Sequence, residues 1–251
     1  MEPKFFSFSR FGKMVKFHIY TNFKATAYFL GALLAFFTFI AVISLANGNM
    51  ITINFFISIF GLWYAITASV IASMSFRELR DKKSATSYLT LPASVFEKYL
   101  TVWLYSIIVG IVGYLVMFAV FNLLLIFIGA MFKVHVPFFN FLQYKSLGAL
   151  TIGYLVVNSE FLLGATIFKR SPFLQTILWM FIIAMALSFI FGPIAKLLLQ
   201  GDFQNLLVGD IEQYSEQIKN IIETGAKVVI AAVTVLFWAA AYFKVKEKQV
   251  V

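Results

Sequence analysis

The segment FRELRDKKSATSYLTLPASVFEKY, residues 76–99, decides how the rest of the chain is read. It lies between two long apolar runs and carries five Lys/Arg and three Asp/Glu. A stretch this charged belongs in water, and short loops rich in Lys and Arg stay on the cytoplasmic side of a membrane. It also has internal order. Leu89-Thr90-Leu91-Pro92 is apolar and turn-forming, and Ser94-Val95-Phe96-Glu97 fits a capping box. In that motif Ser caps a helix and Glu reaches back to the N–H of the cap. The expectation is a structured basic platform between two membrane spans, suited to a cytoplasmic partner.

The composition agrees with a lipid environment. Of the 251 residues, 61% are hydrophobic and 12% are charged, and 31 are Phe. Soluble domains carry roughly 25% charged residues. The net charge is +9. The basic residues flank apolar runs, so they are read as topology and lipid-headgroup determinants and not as a nucleic-acid footprint. There is no cysteine, which removes disulfide and thiol chemistry. No cleavable signal peptide is expected in the first 26 residues, which lack an uninterrupted apolar core.

A helical span needs about 20 mostly apolar residues. Six runs qualify, at 27–46, 53–73, 102–127, 147–168, 173–190 and 226–242. They are apolar on every face, unlike the alternating ten-residue strands of a membrane barrel. The expected fold is therefore an all-α membrane protein, a single transmembrane domain over 1–251 with six transmembrane helices. An even number of spans puts both termini on one side. The N-terminal arm, the 76–99 loop, the Lys169-Arg170 turn and the C-terminal tail hold 15 basic residues, against five elsewhere. By the positive-inside rule both termini are cytoplasmic.

Three elements do not span. In the arm, residues 1–26, Phe8, Phe11, Val15, Ile19 and Phe23 recur at helical spacing, with Arg10, Lys13 and Lys24 elsewhere. This reads as an amphipathic helix lying in the cytoplasmic interface. The outer loop 132–145 is short and aromatic and carries no evident chemistry. The outer segment 192–225 begins with an apolar stretch, 193–199, too short to span and read as a re-entrant or interfacial helix. Its second half places Ile211, Tyr214, Ile218 and Ile222 on one face, with acidic residues largely off it.

The chain offers little enzyme chemistry. It has no G-x-x-x-x-G-K-[ST] for binding ATP, no H-E-x-x-H and no metal-ligand cluster. It has no G-x-S-x-G nucleophile motif. The two histidines, His18 and His135, are expected on opposite faces of the membrane. No span contains Asp, so no intramembrane aspartyl pair exists. One ionisable residue does fall inside a span. Glu160, beside Asn158, is about 12 Å along the helix from Phe168, counted at roughly 1.5 Å per residue. Such residues face the bundle interior and mark function or hold helices together; both readings stay open. Asn122 in the third span reads as an interhelical hydrogen-bonding group. Gly110 and Gly113, with Ala119, form a small-residue strip suited to close packing.

The order of these parts resembles the permease subunit of a type-2 ABC exporter. The residues that carry the resemblance are Glu78 and Arg80, Ser84 and Thr86, Leu89-Thr90-Leu91-Pro92-Ala93-Ser94, and Glu97-Lys98. They are similar to the acidic, Thr and Leu-x-x-Pro-x-Ser segment that rests on the ATPase in that class. The Gly usual in this loop is absent, with Ala85 nearby. The resemblance implies a membrane permease of an ATP-driven exporter in the bacterial cytoplasmic (inner) membrane, paired with a second permease copy or a paralogue. It implies a separate ABC ATPase subunit that binds ATP and Mg, so this chain itself needs no cofactor and is not an enzyme. It assigns ATPase coupling to Glu78, Arg80, Asp81, Thr86, Leu89, Leu91, Pro92, Ser94 and Glu97. The competing reading is a non-ABC integral membrane protein, a secondary carrier or scaffold. A carrier of that kind often shows internal repeats, and none is visible here.

Overall fold

The structure, a computed structural model, describes residues 6–47, 53–79, 85, 88, 90–136, 138, 146–200 and 215–250. These form six α-helices: α1 (Phe8–Ala46), α2 (Ile53–Met74), α3 (Val95–Met131), α4 (Ser146–Ile167), α5 (Pro172–Gln200) and α6 (Ser215–Val250). A short 3-10 turn, Arg77–Leu79, follows α2. Among the described residues there is no β-strand. Five helices contain a stretch long and apolar enough to cross a membrane: α1, α3, α4, α5 and α6. The stretch Phe60–Met74 of α2 is also apolar but shorter.

Three helices are longer than a bilayer needs. α1 has 39 residues, α3 has 37 and α6 has 36. At about 1.5 Å per residue each exceeds 50 Å, against a hydrocarbon core of about 30 Å. The N-terminal arm and the first apolar run are one continuous helix. So are residues 215–223 and the last apolar run. The 193–199 stretch likewise continues α5, with Pro193 inside the helix. Proline there removes one backbone hydrogen bond.

The buried stripe of α1 differs from the expected one. Met14, His18, Asn22, Thr26 and Leu30 are buried at i, i+4 spacing. Phe8, Ile19 and Phe23 face outward, Phe8 at 83% exposure. The physical reason is the solvent. In a helix apolar enough to cross a membrane, the apolar face can be the outer one, and polar side chains turn toward the bundle. Thr26 and Tyr105 of α3 meet hydroxyl to hydroxyl at 2.9 Å, and the His18 ring packs edge-on against Tyr105.

α4 is the central helix. It packs on α2 and α6 most extensively and also contacts α3 and α5, while α1 packs mainly on α3. An aromatic core fills the middle of α1–α4: Phe37, Phe60, Trp63, Tyr64, Tyr114, Phe121 and Tyr154 are all buried. Phe37 and Trp63 stack at 5.1 Å, and Tyr64 and Tyr154 at 4.6 Å. The small-residue strip does close-packing work here. A Cβ on Gly110 would strike the Tyr154 hydroxyl, and one on Gly113 would lie 3.0 Å from Leu30. Tyr154 passes Gly110 to donate to the carbonyl of Ser106 at 2.7 Å.

α3 stops at a Schellman-type end. The N–H of Val134 donates to Gly129 O at 2.9 Å and that of Lys133 to Ala130 O at 3.2 Å. Lys133 adopts the left-handed φ of 57° that this motif needs.

Candidate functional site

The site is built on Glu97, in the first turn of α3. The capping box read from the sequence is present. The Ser94 hydroxyl accepts from the Glu97 N–H at 3.1 Å, and Glu97 Oε2 accepts from the Ser94 N–H at 2.8 Å. The other carboxylate oxygen does something no local pattern announces. Oε1 accepts from the N–H of Ser7, the N-cap of α1, at 2.6 Å, and from Arg10 Nη2 at 3.1 Å. One fully buried carboxylate thus bridges the N-termini of two long helices. Both ends carry the positive pole of a helix dipole, so a negative charge between them is favoured twice. The guanidinium adds a charge-assisted bond.

Aromatic rings seal this junction. Phe6, just before α1, lies against Phe96. Phe96 and Tyr99 both pack on Tyr242 of α6, and the Tyr99 hydroxyl donates to Trp238 O at 2.7 Å. Phe76, at the end of α2, stacks parallel to Tyr99. The same cluster includes Phe161, Leu162 and Ala165 of α4, Phe173 of α5 and Val245 of α6. One end of the bundle therefore gathers the start of α1, the 76–99 segment, the α4–α5 turn and the last turns of α6. These are the four segments that hold most of the basic residues.

The 76–99 segment is partly described. Glu78 sits half-buried in the 3-10 turn. Leu91 is half-buried, while Thr90 and Pro92 are exposed. The backbone turns tightly here: the N–H of Leu91 donates to Tyr88 O at 3.4 Å and that of Ala93 to Leu91 O at 2.7 Å. Arg80, Asp81, Thr86 and Leu89 lie outside the described residues. Lys98 was counted in the sequence with the basic residues that set topology, yet it is only 2% exposed. Its ammonium lies 5.8 Å from the centroid of the buried Tyr88 ring, a cation–π distance. Burial, and then the negative charge of Glu78, raise the Tyr88 hydroxyl above its ordinary range.

The polar residues read from the sequence as intramembrane fall into two places. Asn122 and Asn158 are fully buried. The Ser106 hydroxyl donates to Asn158 Oδ1 at 3.4 Å, linking α3 and α4. Glu160 is half-buried and faces elsewhere. It lines an open groove of about 550 Å³ between α4, α5 and the Phe237 side of α6. Among the described residues, no cluster of three His, Cys, Asp or Glu side chains could hold a metal ion.

No family model, curated protein or solved structure matches this chain. The apolar helices are consistent with a multi-pass, all-helical membrane protein.

Proposed function

We propose that this chain is the permease subunit of an ATP-driven exporter of the type-2 ABC class, with residues 76–99 as the surface on which a separate ATPase rests. The observation that carries this reading is the double tie at Glu97. A push on the turn at Leu91 and Pro92 reaches α3 through the capping box and α1 through Ser7 and Arg10. Two membrane helices then move with one loop, as coupling of an external ATPase requires. The change would be a population shift driven by the partner's ATP cycle, with no chemistry in this chain.

The topology belongs to the same proposal. In it six spans, counting α2, put both termini on one side, and that side, with the platform, is the cytoplasm of a bacterium. Support comes from the gathering of the four basic segments at one end of the bundle. The outer surface of α5, where residues 177–190 are all exposed, suits lipid or a second permease. Labelling tests this directly, because the chain has no cysteine of its own. A Gln213→Cys protein should react with an impermeant maleimide on intact cells, and a Lys82→Cys protein should not.

The functional test is copurification, from membranes of the native host, with a soluble ATPase that carries a G-x-x-x-x-G-K-[ST] loop. Wild type and Thr90→Ala should retain it. Leu91→Asp should lose it while the permease stays folded, because an apolar anchor carries most of the energy of such a contact. If Leu91→Asp binds the ATPase as wild type does, this segment is not the docking surface. A carrier or scaffold needs no ATPase at all, so absence of any ATPase from wild-type preparations would favour that alternative.

A further inference from the structure

The groove beside Glu160 has the makings of a ligand site. Its volume, about 550 Å³, is in the range of pockets that hold drug-sized molecules. Leu163, Trp179, Met180, Ile183 and Phe237 give it apolar and aromatic walls. Two polar groups interrupt them. Glu160 has no hydrogen-bond or ion-pair partner among the described residues. Thr176, 5% exposed, has a buried hydroxyl with no partner. It is held against Gly164, where a Cβ would collide with that hydroxyl.

A carboxylate alone in an apolar wall is costly, and a cation in contact with it removes the cost. Three sources of positive charge can be compared. A lipid headgroup stays at the membrane surface, whereas Glu160 is about 12 Å along α4 from Phe168. A second copy meeting this face by two-fold symmetry would present the same patch. The exposed surface of α5 in that patch, residues 177–190, is apolar apart from Ser188 and has no Lys or Arg. Lys169 and Arg170 lie in the exposed α4–α5 turn and are not among the groove's walls. A free cation with an apolar body matches both the charge and the walls, and the exposed Trp179 indole adds a cation–π surface.

We propose that the groove between α4, α5 and α6 binds a lipophilic monovalent cation, with its charge on Glu160 and its apolar body against Trp179, Ile183 and Phe237. The site stands on the groove alone, with or without a partner ATPase. Within the exporter reading it names the substrate class.

The probe is tetraphenylphosphonium, with tetraphenylborate as an anion of the same shape. Binding of each is measured on the purified full-length chain in nanodiscs of zwitterionic lipid. Wild type should bind the cation at least tenfold more tightly than the anion. Glu160→Gln, which keeps the side-chain shape, should lose tenfold or more in affinity for the cation and erase the preference. Ala184→Trp, which fills the groove from an exposed position of α5, should weaken both ions. An Ile183→Cys protein should be shielded from maleimide by the cation. No preference for the cation in wild type would overturn the proposal, as would unchanged binding by Glu160→Gln. Cross-linking of Ile183→Cys between two copies, unaffected by the cation, would also overturn it and assign the groove to a dimer contact. None of these readings involves an ATPase, so failure here leaves the docking proposal to its own test.

Discussion

Glu97 and Glu160 are both carboxylates of the described bundle, and their surroundings are opposite. Glu97 is fully buried and receives three backbone N–H groups or guanidinium donors across two helix ends. Glu160 is half-buried in an apolar groove, with no partner among the described residues. A carboxylate with every oxygen committed is a strut, because moving it leaves buried donors unsatisfied. A carboxylate facing an open apolar wall is free to meet something from outside. Composition does not distinguish them; the donors around each do.

The strut should be the more damaging one to lose. Glu97→Ala removes the acceptor of the Ser7 and Ser94 N–H groups and of Arg10 Nη2. Breaking a buried charged network costs about 3 kcal/mol or more, so thermal unfolding in detergent should drop well below that of wild type. A loss under about 1 kcal/mol, the worth of an exposed ion pair, would remove the strut from the account. Gly110→Ala comes next, since its Cβ would meet the Tyr154 hydroxyl. Overpacking of that kind costs about 1–3 kcal/mol, and it should also free the Tyr154 ring from the Ser106 carbonyl. Ser94→Ala removes one side of the capping box and should cost about 1 kcal/mol, with Ser7 and Arg10 still holding Glu97. Smallest of all is Glu160→Gln, expected within about 0.5 kcal/mol of wild type in the same assay. If it unfolds as readily as Glu97→Ala, Glu160 is a second strut and the contrast collapses.

The local half of this picture was legible in the sequence. Ser94 and Glu97 stand three residues apart before an apolar run, and a capping box needs nothing further. Gly110 and Gly113 likewise signalled close approach. The tie from Glu97 to Ser7 was not legible, because it joins residues 90 apart and no single-helix pattern encodes it. The arm of α1 shows a different limit. Phe8, Ile19 and Phe23 correctly mark one face as apolar, but periodicity cannot tell a face turned to lipid from one turned to protein. The buried His18, Asn22 and Thr26 repeat every four residues, and that polar stripe within a membrane-grade helix was the available signal. Lys98 shows a related limit: a count of charges cannot see that Tyr88 lies over one of them. Glu160 stood out as the ionisable residue of a span. Thr176, Trp179 and Phe237 come from two other helices, so its surroundings emerge only when α4, α5 and α6 are assembled.

The central claim is that the turn at Leu91 and Pro92 meets an ATPase. A photoreactive amino acid placed at position 92, on the exposed tip of the turn, reports this contact in living cells. On irradiation the account predicts an adduct with a soluble polypeptide that carries a G-x-x-x-x-G-K-[ST] phosphate-binding loop, and loss of that adduct when Leu91→Asp is added. No protein adduct at position 92, or one with a polypeptide lacking that loop, would contradict it.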